Sequence, residues 1–266
     1  AAAQAETRVE EARKHCDSLD PRAVDPALGG HVAFAKANVA SDKAQARALL
    51  ELARLLAPGG LIEEAALRRS VFLAGESGDV ESFIDLSRRY SRRFRGSAYF
   101  GNFAQGFASS TEKISVARLE ANLDSIDGVV ALLPIEARNA WRLDLARRAL
   151  LDGRNAMAAR LSRAALDGIG ASDQTARMRS ALYAAASKVG GPQHGEAQNG
   201  LAGIVAGGLS QDDRNLLMAA GAGARHTPPR SGGARMTAGS STLVETAARA
   251  RKLLEETAGL IGGAAP

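Results

Sequence analysis

The sequence predicts an all-α protein of stacked helical hairpins, an α-solenoid of the tetratricopeptide-like kind. Three observations favour this class. The 266 residues include only 4% aromatics, and Ala, Leu and Arg dominate long stretches, which favours helices over strands. Apolar residues recur at helical spacing from Ser41 to about Val189. One apolar stripe is also repeated after 34 positions, which matches a tetratricopeptide-like helix pair.

Residues 1–41 are predicted to form an N-terminal segment and loop, with a short polar helix over 4–16. The loop signals are Asp20-Pro21, Asp25-Pro26 and Gly29-Gly30. The chain begins Ala1-Ala2-Ala3-Gln4, a small-residue start of the kind expected after removal of a signal peptide.

Residues 42–189 are predicted to form a helical-repeat domain. Ser41 or Asp42 suits the N-cap of its first helix, and Asp79 suits the N-cap of its third. The repeated stripe comprises Ala46, Leu49, Leu50, Ala53 and Leu56, and then Val80, Phe83, Ile84, Ser87 and Tyr90; a similar stripe comprises Met157, Ala158, Leu161, Ala164 and Ala165. Further helices are predicted over 97–109, 112–126, 135–151, 154–167 and 172–189. Each hairpin has an apolar face that it cannot bury alone, so stacking is expected.

The C-terminal part changes in composition. Residues 190–241 are rich in Gly, Ala and Ser and are predicted to be a disordered linker, because such a stretch buries too little apolar surface to offset its ordering entropy. A short helix near Gln211–Ala220 is the exception. Residues 242–266 are predicted to form an amphipathic helix and tail.

The sequence disfavours several functional classes. No apolar run approaches the length of a membrane span, and the single cysteine, Cys16, rules out an intramolecular disulfide. None of the four histidines has a second ligand at a helical metal spacing, and we expect no cofactor. Glu76-Ser77 and Glu81-Ser82 imitate the Glu-Ser motif of peptidoglycan-cleaving transglycosylases, but the Gly-rich sequence that should follow is missing.

The most distinctive feature is a ridge of arginines. The chain has a net charge of +5, and only six of its 34 basic residues are lysines. A helical wheel for residues 79–95 places Arg88, Arg89, Arg92, Arg93 and Arg95 opposite the apolar stripe, close in sequence to Arg68 and Arg69. The ridge is either a solvated face, partly paired with Glu64, Glu76 and Asp85, or a docking surface for an acidic partner. No aromatic residue is interleaved with the arginines, which disfavours nucleic acid as the partner.

Four aromatic residues follow the ridge: Tyr99, Phe100, Phe103 and Phe107. Their spacing allows three of them to meet on one helix face. They are either core residues or an exposed patch for a partner. In the second case Tyr99 and Phe103 are the candidate apolar anchors.

Several segments resemble the MotC family of motility proteins from α-proteobacteria. These are Leu52-Ala53-Arg54-Leu55-Leu56-Ala57-Pro58-Gly59, Glu63-Glu64-Ala65-Ala66-Leu67-Arg68-Arg69-Ser70, Arg89-Tyr90-Ser91-Arg92-Arg93-Phe94 and Leu145-Ala146-Arg147-Arg148-Ala149. The resemblance spans roughly residues 42–189. It implies a periplasmic, all-helical, non-enzymatic protein of the flagellar motor, which serves as a partner or chaperone of the periplasmic part of the stator protein MotB.

On this hypothesis the arginines orient an acidic or polar segment of the partner. The expected contact residues are Arg68, Arg69, Arg88, Arg89, Arg92, Arg93, Tyr99 and Phe103. Two alternatives stay open at this point: a tetratricopeptide-like interaction scaffold unrelated to motility, and a peptidoglycan-cleaving enzyme that uses Glu76 or Glu81.

Overall fold

The computed structural model describes residues 2–226, which contain thirteen α-helices, one short 3₁₀-helix and no strand. The helices are α1 Ala2–Asp17, α2 Pro26–Val39, α3 Lys43–Leu56, α4 Leu61–Glu76, α5 Val80–Arg93, α6 Phe100–Glu112, α7 Val116–Ala121, α8 Leu123–Val130, α9 Ile135–Leu151, α10 Asn155–Leu166, α11 Gln174–Ala186, α12 His194–Ala202 and α13 Gln211–His226, with the 3₁₀-helix at Ala206–Gly208. The all-α prediction is therefore confirmed for the described residues.

Helices that are close in sequence pack against each other. The contacts between consecutive helices include α2 with α3, α3 with α4, α4 with α5, α9 with α10, α10 with α11, α11 with α12 and α12 with α13. Alternate helices also touch, namely α2 with α4, α4 with α6, α7 with α9, α9 with α11 and α11 with α13, and α5 touches α8. Within residues 2–226, no helix combines the length and apolar character that crossing a membrane requires.

Asp42 and Asp79 are the N-caps of α3 and α5, as predicted. Asp42 accepts a hydrogen bond from the backbone N–H of Gln45 at 2.8 Å, and Asp79 accepts one from the N–H of Ser82 at 3.1 Å. Both bonds satisfy a backbone donor that has no partner inside its helix. Gly59, between α3 and α4, has a φ of +82°, which glycine adopts without steric cost.

The apolar stripes lie inward, as predicted. Leu50 and Ala53 of α3 are fully buried, and so are Phe83 and Tyr90 of α5. In α10 the stripe buries Met157, Ala158, Leu161 and Ala165. The helical spacing therefore predicted both the helices and the sides of them that face the core.

Helix α2 differs from the predicted N-terminal loop. The structure continues the helix from Pro26 through Gly29 and Gly30, and the Asp25 side chain caps it. A Cβ added to Gly30 would lie 2.5 Å from the Cβ of Ala57. The glycine pair therefore allows α2 to approach the end of α3 closely, and does not mark a turn.

Residues 194–226 differ from the predicted linker, since they contain α12 and α13. The predicted short helix near Gln211–Ala220 is confirmed as part of α13. The buried Asp213 carboxylate accepts hydrogen bonds from the hydroxyls of Tyr183 at 2.5 Å and Ser210 at 2.9 Å. These bonds tie the first turn of α13 to Tyr183 of α11. Residues 227–241, and the helix predicted within 242–266, lie outside the described residues.

An aromatic stack fixes the middle of the fold. The ring centroid of Tyr90 lies 4.1 Å from that of Phe103, and the centroid of Phe83 lies 5.0 Å from that of Phe107. Phe107 in turn lies 6.1 Å from Trp141. Because these rings come from α5, α6 and α9, their contacts hold the inner face of α5 in place and leave its outer face in solvent.

Candidate protein-binding surface

The arginine ridge, defined as Arg88, Arg89, Arg92, Arg93 and Arg95, lies on the outer side of α5 and just beyond its end. Arg88 is half-buried and the other four are exposed. The predicted position of the ridge is therefore confirmed, and none of its guanidinium groups is sealed inside the protein.

Two arginines of the ridge are paired within the chain. Arg89 lies 2.9 Å from the carboxylate of Asp85, one turn earlier on α5. Arg93 lies 2.8 Å from the carboxylate of Glu63 on α4. The side chains of Arg89 and Arg93 are still 57% and 53% exposed, so these pairs are surface pairs and contribute little to stability.

The two arginines of α4 are also paired. Arg69 lies 3.8 Å from Glu76, which also approaches Lys113 at 3.6 Å. Arg68 lies 3.7 Å from Glu64, and its guanidinium carbon lies 4.9 Å from the centre of the Tyr99 ring. The predicted pairing of the basic residues with Glu64, Glu76 and Asp85 is thus confirmed.

Three ridge arginines have no such partner. Arg88, Arg92 and Arg95 make no ion pair and no side-chain hydrogen bond with any described residue. We call these three residues the unpaired arginine set. Their charge is available to a ligand without breaking an existing contact.

A buried carboxylate that the sequence analysis missed supports the ridge from below. Glu63 accepts hydrogen bonds from the N–H of Gly59 at 2.5 Å and from Arg93 at 2.8 Å. Burial would raise the pKa of Glu63, but these bonds and the nearby positive charges outweigh it and lower that pKa. Glu63 and Arg93 are thirty residues apart in the sequence. A glutamate in the first turn of a helix is also common because it interacts favourably with the helix dipole. The local sequence therefore gives no signal for this ion pair.

The neighbouring Glu64 joins three helix ends. Its Oε1 accepts hydrogen bonds from the hydroxyls of Tyr90 at 2.7 Å and Ser97 at 2.5 Å. Burial, together with the Glu64 carboxylate, raises the pKa of Tyr90 to about 12. The start of α4, the last turn of α5 and the approach to α6 are therefore held together beneath the arginines.

The two candidate aromatic anchors have different positions. Tyr99 is 44% exposed and stands beside Arg68, as a contact residue should. Phe103 is 0% exposed and stacks on Tyr90. Phe103 is therefore a core residue, and its prediction as a surface anchor is corrected. The three aromatic residues of α6 are buried, and the exposed Tyr99 immediately precedes the helix.

The residues considered for catalysis have other surroundings. Glu76 lies between Arg69 and Lys113, and Glu81 is exposed in the first turn of α5. Cys16 is a half-buried free thiol, next to an exposed His15. Among residues 2–226, no three His, Cys, Asp or Glu side chains are grouped so that they could hold a metal ion.

The chain is similar to known motility proteins. A family model described as "Chemotaxis protein MotC" matches residues 1–259. A curated relative named "Chemotaxis protein MotC", from Rhizobium meliloti (strain 1021), is 31% identical over 180 residues, which is 67% of this chain and 41% of the relative. The chain thus spans less than half of that relative. No solved structure matches the chain.

Proposed function

Because this chain belongs to the family of the chemotaxis protein MotC, we propose that it acts in the periplasm on the flagellar motor. It binds the periplasmic part of a MotB-type stator protein and stabilises it, as a chaperone does. Family membership supports the role in motility. It also argues against the enzyme alternative, since the matched proteins are named for chemotaxis and not for a reaction.

The proposed architecture is a stack of tetratricopeptide-like helical hairpins. The pairs α2–α3, α4–α5 and α9–α10 are in contact, and alternate helices such as α4 and α6 also touch. This contact pattern supports hairpins that lie side by side. Stacks of this kind offer an extended surface to another polypeptide, which suits a protein that holds a partner segment.

The observation that carries the proposal is the arginine surface formed by the ridge on α5 and the half-buried Arg68 and Arg69 of α4, which lies over the hydrogen-bonded Glu63 and Glu64. Arginine can make bidentate bonds to carboxylates, and concentrated positive charge speeds the encounter with an acidic partner. Arg68 with Tyr99 adds a cation and an exposed ring at the edge of this surface. These features match a docking surface for an acidic or polar protein segment.

The test is capture of the partner by the purified chain. The immobilised chain is incubated with the purified periplasmic part of the stator protein from the same organism, and the bound fraction is measured. We expect capture by the unmodified chain and its loss in the variant Arg88→Glu, Arg89→Glu, Arg92→Glu. Arg93 is left unchanged, because a glutamate there would face the buried Glu63 and destabilise the fold.

The matched control reverses three arginines elsewhere on the surface. The side chains of Arg22, Arg163 and Arg225 are exposed and have no partner among the described residues. Their replacement by Glu changes the net charge by the same amount as the ridge variant does. The control should retain capture, and circular dichroism should be unchanged in both variants. Equal capture by the two variants would remove the ridge from the proposal, and no capture by the unmodified chain would remove the stator partner.

A second experiment addresses stabilisation in cells. If the chain is a chaperone for the stator protein, its deletion should lower the steady-state level of that protein as well as motility. A motility defect with a normal stator level would refute the stabilising role.

A further inference from the structure

The ridge separates into two groups of arginines with different surroundings. Arg89 and Arg93 have carboxylates of the chain itself within 2.9 Å. The unpaired arginine set, Arg88, Arg92 and Arg95, has none among the described residues. Its only described acidic neighbours on the same side of α5 are Glu81, which is exposed, and Asp85, which is already paired with Arg89.

We propose that the unpaired arginine set receives a short acidic stretch of a partner polypeptide, about three carboxylates long. This inference rests on the proposed function and narrows it, because it separates the arginines that bind the partner from those already paired with carboxylates of the chain itself. Arg69, Arg89 and Arg93 are then engaged by the chain's own Glu76, Asp85 and Glu63, and the binding specificity lies in Arg88, Arg92 and Arg95.

The spacing of the set suits successive acidic residues. Arg88 and Arg92 are one turn apart on α5, and Arg95 follows the end of the helix at Arg93. One turn separates two side chains by about 6 Å along a helix axis. Carboxylates recur at nearly the same distance, about 6 to 7 Å, at i and i+4 of a partner helix or at i and i+2 of an extended partner. Each guanidinium can therefore meet its own carboxylate.

The set also has a boundary, which limits the length of the ligand. Glu81 lies two turns before Arg88 and Asp85 lies one turn before it, on the same side of α5, and both are exposed. A long polyanion laid along the helix would meet these carboxylates and be repelled. A membrane surface or a nucleic acid is therefore a poorer match than a peptide whose acidic residues are clustered.

The unpaired charges are compatible with a stable fold. Arg92 lies in the last turn of α5, where the helix dipole favours cations. Arg92 and Arg95 are exposed and keep their hydration when no ligand is present. The set can therefore remain unpaired until an acidic segment arrives.

The test uses peptides and the full chain, without the stator protein. The probe is a short fluorescent peptide with one central cluster of three glutamates. Its isomer has the same composition but has the glutamates spread along its length. Fluorescence anisotropy at low salt gives the dissociation constant of each, and anionic phosphatidylglycerol vesicles provide a third probe. The variant is Arg88→Gln, Arg92→Gln, Arg95→Gln, and its matched control is Arg22→Gln, Arg163→Gln, Arg225→Gln.

We expect the clustered peptide to bind more tightly than its isomer, and to bind the variant at least about tenfold more weakly than the control. Added salt should weaken this binding. Equal affinity for the two peptides, equal affinity of the two variants, or stronger binding to vesicles than to the clustered peptide would overturn the inference. Loss of peptide specificity with intact stator capture would refute only this inference, whereas specific peptide binding without stator capture would refute only the proposed partner.

Discussion

Replacement of Gly30 by Ala tests the close contact between α2 and α3. In most helix interiors this change stabilises a protein by about 1 kcal/mol, because alanine has the higher helix propensity. In α2, however, the new Cβ would lie 2.5 Å from the Cβ of Ala57, 3.2 Å from the carbonyl oxygen of Ala53 and 3.3 Å from the backbone N of Ala57. None of these atoms can move by a simple rotation.

The expected magnitude follows from these distances. Carbon atoms in contact are separated by about 3.5 to 4.0 Å, so the helices must move apart by about 1 Å. Overpacking of this size costs about 1 to 3 kcal/mol. After the propensity gain of about 1 kcal/mol is subtracted, we expect Gly30→Ala to lower the free energy of unfolding by up to about 2 kcal/mol.

Urea denaturation followed by circular dichroism measures this change, with two companion variants. Gly128→Ala in α8 is the matched control, because its Cβ would have no heavy atom within 4 Å; it should be neutral or stabilising. Ala57→Gly, combined with Gly30→Ala, removes the nearest clashing atom and should recover much of the lost stability. If Gly30→Ala changes the free energy of unfolding in the same way as the Gly128→Ala control, or if Ala57→Gly rescues nothing, the close-contact explanation is refuted.

Three further predictions concern the support beneath the ridge. Phe103→Ala should lower the free energy of unfolding by about 3 to 5 kcal/mol, because Phe103 is a core residue. Tyr99→Ala should lower it by about 0.5 kcal/mol or less. Equal losses in urea denaturation would contradict the assignment of Phe103 to the core and of Tyr99 to the surface. The pKa of Glu63 is lowered in the fold, so its carboxylate stabilises the protein above the ordinary pKa of 4.5, and this stabilisation is lost as the pH falls. In acid unfolding, the free energy of unfolding of Glu63→Gln should therefore fall less steeply below pH 4.5 than that of the parent chain. Burial and Glu64 raise the pKa of Tyr90 from 10.0 to about 12, so its contribution is complete below pH 10.0 and is lost as the pH rises through 12. Tyr90→Phe should flatten that alkaline loss, and an unchanged slope would refute the coupling.

The sequence was most informative where local signals agreed. In α5 an Asp cap, a helical apolar stripe and a separate arginine side all indicated the same helix, and Asp79, Tyr90 and Arg92 lie where they were expected. In contrast, Gly29 and Gly30 follow an Asp-Pro pair and were interpreted as a loop. Their role depends on Ala57, a contact between distant residues that a local pattern does not contain.

The same limit applies to the candidate site. Tyr99 and Phe103 lie one turn apart in the sequence, and only the packing of α6 on α5 decides which of them is exposed. Glu63 was missed because its partner, Arg93, belongs to another helix. Helix α12 and the part of α13 beyond Ala220 were not predicted, because a Gly- and Ala-rich composition does not reveal contacts between distant residues, such as that of Asp213 with Tyr183.

The inner support of α5 has an evolutionary consequence. Tyr90 and the aromatic rings beneath it hold the helix from inside, and among the described residues the side chains of Arg88, Arg92 and Arg95 make no ion pair and no hydrogen bond. Substitutions at these positions therefore carry little folding penalty. Members of the family can thus differ on this outer face while the helical scaffold stays the same.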